Sequence, residues 1–207
     1  VAKGAADGYT LLHMSSNLTA NESLYKNNPY DLMNDFAPVT QIALAPFVVI
    51  VHPSLPVKSM ADLTALARAK PGSLNYASGG AGTTTQLGME LFKSMGGVDI
   101  VHVPYKGTGQ AFVDAMSGQI HLLFASGLGA IPHVRTGKLK LLAVTTLKRL
   151  QGFPDVPTVA ETLPGFQLDN MHGLYAPAGT PVRNEYSFFH LTMRRTLMPH
   201  TCGPDEA

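Results

Sequence analysis

The sequence predicts an α/β fold in which a parallel sheet is covered by helices. Short apolar, β-branched runs alternate with helical patterns from about residue 42 to 145, at the spacing of βαβ units. Gly-rich turns separate several of these strands from the helices that follow. Because such crossovers are right-handed, we expect the carboxyl ends of the strands to lie at one edge of the sheet.

The chain before residue 57 has few helical patterns. It predicts, in order, a short buried strand over Tyr9–Met14, a polar triplet of Ser15, Ser16 and Asn17, a short helix over 21–26, an irregular connection over 27–38 and a long strand over Ile42–Val51. His52-Pro53-Ser54-Leu55-Pro56 interrupts the pattern. We therefore expect a domain boundary there.

Strands and helices alternate regularly in the next part of the chain. Ser59 and Asp62 fit a capping box for a helix that reaches about Ala69. The elements that follow are predicted as a strand over 74–77, a helix from Thr83, a strand over 98–103, a helix over 108–116, a strand over 120–125, a helix over 128–135 and a strand over 139–145. A second capping box joins Thr158 to Glu161, and 174–176 predicts a brief strand.

Three Gly-rich turns follow strands of the predicted sheet, at Ser78–Gly82, Pro104–Gly109 and Ser126–Gly129. Each leads toward a helix N-terminus, where we expect unpaired backbone N–H groups and the helix dipole to favour an anion. No Lys or Arg lies between Lys70 and Lys93, so the first turn would hold an anion with amides and hydroxyls. A turn of this type also serves as a plain connection, and that alternative stays open.

Two nucleotide-binding signatures are absent from the first turn. A Walker loop requires Gly-Lys-Ser/Thr at its end, and a dinucleotide fingerprint requires a third glycine after Gly80 and Gly82. The sequence thus favours a small anion over a nucleotide.

Composition excludes several classes of protein. The 207 residues are 45% hydrophobic with a net charge of +1, which gives no nucleic-acid footprint, and no run of about 18 apolar residues predicts a membrane span. The histidines show no metal-ligand spacing, and His102 and His121 are interpreted as structural residues on strands. Because no catalytic base or nucleophile is evident, we predict a binding protein, not an enzyme, without metal or cofactor.

An ordered series of motifs resembles one family. The motifs are Asp7-Gly8-Tyr9-Thr10-Leu11-Leu12, Asp35-Phe36-Ala37-Pro38-Val39, Leu74-Asn75-Tyr76-Ala77-Ser78-Gly79-Gly80-Ala81-Gly82-Thr83, His102-Val103-Pro104-Tyr105-Lys106-Gly107, Gly137-Lys138-Leu139-Lys140-Leu141-Leu142-Ala143-Val144, Pro154-Asp155-Val156-Pro157-Thr158-Val159-Ala160-Glu161 and Ala176-Pro177-Ala178-Gly179-Thr180-Pro181. Over about residues 1–182 the chain is similar to the Bug family, the extracytoplasmic solute receptors of tripartite tricarboxylate transporters.

The resemblance implies a type II periplasmic-binding-protein fold of two Rossmann-like lobes joined by crossing strands. The implied division is a partial first lobe over 1–54, a second lobe over 55–170, a return strand over 171–182 and a divergent or frame-shifted tail over 183–207. It further implies a periplasmic, monomeric protein that delivers a small carboxylate to membrane permease subunits. The first residues do not show the apolar region of a signal peptide, and we expect the first lobe to be incomplete.

The same resemblance places the ligand between the lobes. From lobe two it implies ligand contacts by Ser78, Gly80, Gly82, Thr83 and Thr84, with Tyr105, Gly107 and Thr108 beside them; from lobe one it implies Ser15, Ser16 and Asn17. Two other functions stay open: an enzyme on a Rossmann-like scaffold acting on a small anion, and a sensory ligand-binding domain.

Overall fold

The computed structural model of the chain describes residues 1–16 and 27–181, which form a mixed α/β structure. The elements are β1 (Leu12–Ser15), β2 (Phe36–Val51), α1 (Met60–Ala69), β3 (Asn75–Ser78), α2 (Thr84–Gly96), β4 (Val101–Pro104), α3 (Thr108–Met116), β5 (Leu122–Ser126), α4 (Gly127–Arg135), β6 (Lys140–Val144), a 3-10 helix (Val159–Glu161) and β7 (Asp169–Pro177). The predicted helix over 21–26 lies outside the described residues.

The chain divides into two compact units. Unit one comprises Val1–Leu44 and Met171–Ala207, and unit two comprises Ala45–Asn170. The first division falls inside β2, ten residues before the boundary that we predicted after residue 54. A single long strand therefore supplies residues to both units, and the His52–Pro56 break lies within unit two.

The sheet of unit two is mixed. β3 pairs in parallel with β4 and β5, whereas β2 pairs antiparallel with β5 and β6. The prediction of a parallel sheet is therefore wrong for β2, because its direction is set by pairing with strands that are distant in the sequence. β3, β4, β5 and β6 all end at one edge, as predicted for them, and Phe47 of β2 lies opposite Ser126 at that edge.

Apolar side chains fill the space on both faces of this sheet. On one face, Tyr76 and Phe124 pack with the apolar residues of α1 and α2. On the other, Ala77 and Leu123 pack with Ala111 of α3 and with α4. Residues adjacent in a strand thus enter opposite cores, as the two-residue period of a strand requires, and helices cover both faces.

Both predicted capping residues are found at helix starts. The Ser59 hydroxyl accepts the Asp62 N–H at 3.1 Å before α1. Thr158 and Glu161 form a reciprocal capping box at the 3-10 helix. Each cap satisfies backbone donors that the helix itself leaves without acceptors.

The described part of unit one contains the pairing of β1 with β7, which is antiparallel with Leu12 opposite Tyr175. The prediction of a buried strand over Tyr9–Met14 is wrong at its start, because Tyr9 is 93% exposed. The Tyr9 N–H donates to the Asp7 carboxylate at 3.0 Å, which holds this segment in a turn. The strand predicted over 174–176 extends over the whole of β7.

The helices within residues 1–16 and 27–181 give no candidate membrane span. Every helix in these ranges is too short or too polar to cross a bilayer.

Candidate ligand-binding site

The first Gly-rich turn connects β3 to α2 and has a backbone that only glycine adopts easily. Gly80 has φ of +127° and Gly82 has φ of +76°. A Cβ at Gly80 would also lie 3.3 Å from the Tyr105 carbonyl oxygen of the neighbouring turn. The two glycines let the chain fold tightly over the end of β3 before α2 begins at Thr84.

Most polar groups of this turn are bonded within it. The Gly80 N–H donates to the Ser78 hydroxyl at 3.2 Å, and the Gly82 N–H donates to Gln86 Oε1 at 2.6 Å. The Thr83 hydroxyl turns back to the Gly80 carbonyl at 2.7 Å and does not cap the helix. Our prediction of unpaired N–H groups is therefore wrong for Gly80 and Gly82.

The second turn lies directly beside the first. The Tyr105 N–H donates to the Ser78 carbonyl at 3.1 Å, so the two turns are joined by their backbones. The Tyr105 hydroxyl donates to Asp114 of α3 at 2.6 Å. Burial, followed by this bond to Asp114, raises the pKa of Tyr105 to about 12. Because this hydroxyl hydrogen is already used, the Tyr105 side chain would have to leave Asp114 before it could donate to a ligand. Gly107 has φ of +122°, and the exposed Thr108 begins α3.

The third turn is short, since Ser126 ends β5 and α4 begins at Gly127. In the sheet the order β5–β3–β4 places the three turns side by side. Three helix N-termini, those of α2, α3 and α4, therefore meet at the same edge of unit two. This arrangement matches the prediction that the strands before the three turns end at one edge of the sheet.

A polar cluster that the sequence analysis did not identify supports the first turn. His102 of β4 lies 2.7 Å through Nε2 from the Ser78 hydroxyl and 3.5 Å through Nδ1 from Gln86 Nε2. Its ring stacks on Tyr76 with the centroids 4.7 Å apart, and the Tyr76 hydroxyl donates to Glu90 at 2.6 Å. Burial is the main cause that lowers the pKa of His102, which favours the neutral form of the ring.

The sequence contained one signal for this cluster. Gln86 stands three residues after Thr83, which is the spacing of a capping box. In the structure its amide oxygen accepts the N–H of Gly82, one residue before the helix cap. The contact of His102 with Ser78 depends on the pairing of β3 with β4, which no local pattern indicates.

The three site residues predicted before residue 18 belong to unit one or lie outside the described chain. Ser15 ends β1, and the Ser16 hydroxyl accepts the Met171 N–H at 2.9 Å. Asn17 is outside the described residues. The eight predicted residues between Ser78 and Thr108 all lie in the first two turns and at the helix starts beside them.

In residues 1–16 and 27–181, His, Cys, Asp and Glu side chains nowhere gather in a group of three or more that could hold a metal ion.

Comparisons with known proteins agree with the motifs in the sequence. Residues 1–197 match the model of the tripartite tricarboxylate transporter family receptor, so the match continues beyond residue 182, where we predicted divergence. BugT of Bordetella pertussis is 37% identical over 182 residues, which are 86% of this chain and 56% of BugT. The chain spans about half the length of the curated relatives it matches.

Solved structures show the same fold. An R. palustris protein with adipate is 39% identical, with a TM-score of 0.82 over 93% of this chain and 64% of that one. MatC from Rhodopseudomonas palustris with bound malate is 32% identical, with a TM-score of 0.77 over 87% of this chain and 62% of MatC. The periplasmic binding protein BugD is 30% identical, with a TM-score of 0.79 over 93% of this chain and 64% of BugD. The predicted periplasmic-binding-protein fold is confirmed, and the chain belongs to the tripartite tricarboxylate transporter family of receptors.

Proposed function

We propose that the whole protein is a periplasmic receptor that binds a small carboxylate and presents it to the membrane subunits of a tripartite transporter. The observation that supports this most strongly is the meeting of three helix N-termini at one edge of unit two. Relatives with adipate and with malate bound point to the same class of ligand. The family to which the chain belongs is a receptor family.

The physical basis is the positive end of each helix dipole together with the N–H groups of the first helical turn. The N-terminus of an α-helix carries about half a positive charge and several N–H groups without helical acceptors. α2, α3 and α4 aim three such ends at the edge formed by β5, β3 and β4. Lys106, the cationic residue of the second turn, is exposed. We therefore propose that amides and hydroxyls carry most of the recognition, which suits a carboxylate better than a highly charged phosphate.

Within this site we assign separate roles to the predicted residues. Thr83 and Thr84 are proposed to donate hydroxyl groups to the ligand carboxylate, for which the Thr83 hydroxyl has to turn away from the Gly80 carbonyl. Gly80, Gly82 and Gly107 are proposed to allow the backbone to approach the ligand closely. Tyr105 is proposed to form an apolar wall. Ser15, Ser16 and Asn17 remain predicted ligand residues on the basis of the family resemblance alone.

The first test is a thermal-shift screen of mono-, di- and tricarboxylates on the full-length receptor. A ligand present at a hundredfold excess over its Kd should stabilise the folded state by about 2.7 kcal/mol. Neutral sugars are the matched comparison, since they offer hydroxyls without charge. Stabilisation by sugars and by no carboxylate would contradict the proposal.

The second test addresses the hydroxyl groups. The double substitution Thr83→Val and Thr84→Val should weaken carboxylate binding about tenfold or more, because two neutral donors are lost. Thr64→Val is the matched control: like Thr84, Thr64 is a buried threonine in a helix, and its hydroxyl donates to the Met60 carbonyl. Equal carboxylate affinities in both variants would mean that the first turn has only a structural role.

A further inference from the structure

The first turn is held by a closed series of side-chain contacts that begins and ends on its own backbone. Gln86 Oε1 accepts the Gly82 N–H at 2.6 Å, and Gln86 Nε2 lies 3.5 Å from His102 Nδ1. His102 Nε2 lies 2.7 Å from the Ser78 hydroxyl, which in turn donates to the Gly80 carbonyl at 3.1 Å. Three side chains from β3, α2 and β4 thus connect Gly82 to Gly80.

Only one assignment of hydrogens satisfies every member of this series. The Gly82 N–H is a donor, so the amide oxygen of Gln86 has to face it and the amide NH₂ has to face His102. Nδ1 of His102 is then an acceptor, and the ring hydrogen is on Nε2. The Ser78 oxygen accepts from His102 Nε2 and from the Gly80 N–H, which leaves its own hydrogen for the Gly80 carbonyl.

We propose that His102, as the neutral Nε2–H tautomer, and Gln86 are positioning residues that fix the first turn in the form that grips the carboxylate. This proposal rests on the proposed function, because it assigns a role within the same site. His102 does not contact the ligand in it; the residue acts through Ser78 and Gln86. Protonation of Nδ1 would place its N–H against the NH₂ group of Gln86, so that two donors face each other. Rotating the Gln86 amide would remove this clash but would place the NH₂ group against the Gly82 N–H. The turn therefore loosens when His102 is protonated.

The surroundings of His102 determine the pH at which this occurs. Burial lowers its pKa most, Glu90 of α2 opposes that effect, and Lys93 of α2 adds to it. From β3, the Tyr76 ring covers one face of the imidazole and keeps its phenol protonated, since burial and Glu90 raise the Tyr76 pKa. The turn is thus expected to stay ordered at neutral pH and to loosen only at acid pH.

The first experiment measures the tautomer directly and needs no ligand. NMR of the imidazole nitrogens in the full-length receptor should show Nε2–H for His102 at pH 7. Gln86→Glu should raise the His102 pKa, because a carboxylate that faces both the Gly82 N–H and Nδ1 favours a proton on that nitrogen. The pKa of His121, at the other edge of the sheet, is the internal control and should stay unchanged. An Nδ1–H tautomer, or an unchanged His102 pKa in Gln86→Glu, would overturn the proposal.

The second experiment measures binding, with adipate and malate as probes. His102→Phe keeps a ring against Tyr76 but removes both nitrogens, and we expect it to weaken whichever probe binds by about tenfold. His121→Phe is the matched control and should leave that affinity unchanged. Equal losses of affinity in the two variants would show a general loss of stability and would contradict the inference. Should neither probe bind the unmodified receptor, while the NMR results hold, the choice of ligand in the proposed function fails and the role of His102 in ordering the turn stands.

Discussion

The two edges of the unit-two sheet each carry a half-buried histidine, but they use it differently. At the edge with the Gly-rich turns, His102 contacts a hydroxyl and an amide that hold a loop. At the opposite edge, the His121 N–H donates to Asn75 Oδ1 at 2.8 Å, and its Nδ1 lies 2.7 Å from the same atom. The second arrangement joins the start of β3 directly to the residue before β5.

The contacts at the His121 edge stabilise the sheet, whereas those at the His102 edge hold the turns of the proposed ligand site. At the His121 edge, the polar contacts lie between neighbouring strands, and His52 adds a backbone bond to the His121 carbonyl at 3.0 Å. At the His102 edge, the contacts hold turns whose glycines have positive φ. Loops of this kind carry function because a rigid scaffold positions them. Substitutions at the two edges should therefore have different consequences for binding.

Phe124→Ala should give the largest effect, because Phe124 lies on β5 between the two edges. Its ring is 1% exposed and contacts Phe92 and Phe166. Removing a buried phenyl ring costs about 3–5 kcal/mol. Urea unfolding of the receptor measures this loss, and hydrogen exchange should show both edges opening together. Protection that persists at one edge would mean that the edges unfold separately.

Ser78→Ala should reduce both stability and binding. Ser78 is 2% exposed, and loss of its hydroxyl leaves His102 Nε2 and the Gly80 carbonyl without this partner. Such a loss costs about 1–3 kcal/mol. Carboxylate affinity, measured by calorimetry below the unfolding temperature, should fall at the same time. A stable variant with normal affinity would remove the distinction between the two edges.

Asn75→Ala should reduce stability alone, and by less. Asn75 accepts the His121 N–H and donates to the Gln119 carbonyl at 3.0 Å, but this second bond is exposed to water. We expect a loss of about 1 kcal/mol in the free energy of unfolding. Carboxylate affinity should equal that of the unmodified receptor. Weaker binding in this variant would show that the edges are coupled through β3.

The smallest effect is on the pH dependence of stability. Burial lowers the pKa values of His102 and His121 below the ordinary value of histidine. As the pH falls, these histidines therefore take up protons in the unfolded chain before they do so in the folded one. The free energy of unfolding should reach its highest value above about pH 6.5 and decline below it. Unfolding curves at pH 7 and pH 5 test this sign, and each His→Phe variant should reduce the slope.

Local signals in the sequence predicted a large part of this architecture. Ser59 and Thr158 were found at helix starts because capping needs only nearby residues. The helix over Thr108–Met116 was predicted with the bounds that the structure shows. The three turns were found through their glycines, and their common edge follows from the parallel direction of β3, β4 and β5.

The remaining features depend on contacts between distant residues. β2 begins at Phe36 although Pro38 follows, and its antiparallel direction results from pairing with β5 and β6. The internal bonding of Gly82 requires Gln86 to point back toward the turn, a choice that its contact with His102 favours. Sequence patterns identified where donors would gather but did not indicate which of them were already bonded.

β2 also has a consequence for how the chain folds. The Phe47 N–H donates to the Thr145 hydroxyl, a contact that joins residues 98 positions apart. Its ladder partners in β5 and β6 likewise come much later in the chain than β2 itself. Contacts between residues so far apart in the sequence slow folding. The entropy cost of closing the long loop is met before the contact forms and stabilises the chain. During synthesis the apolar segment Phe47–Val51 therefore lacks its strand partners until β5 and β6 have emerged, and for that interval it is exposed to aggregation.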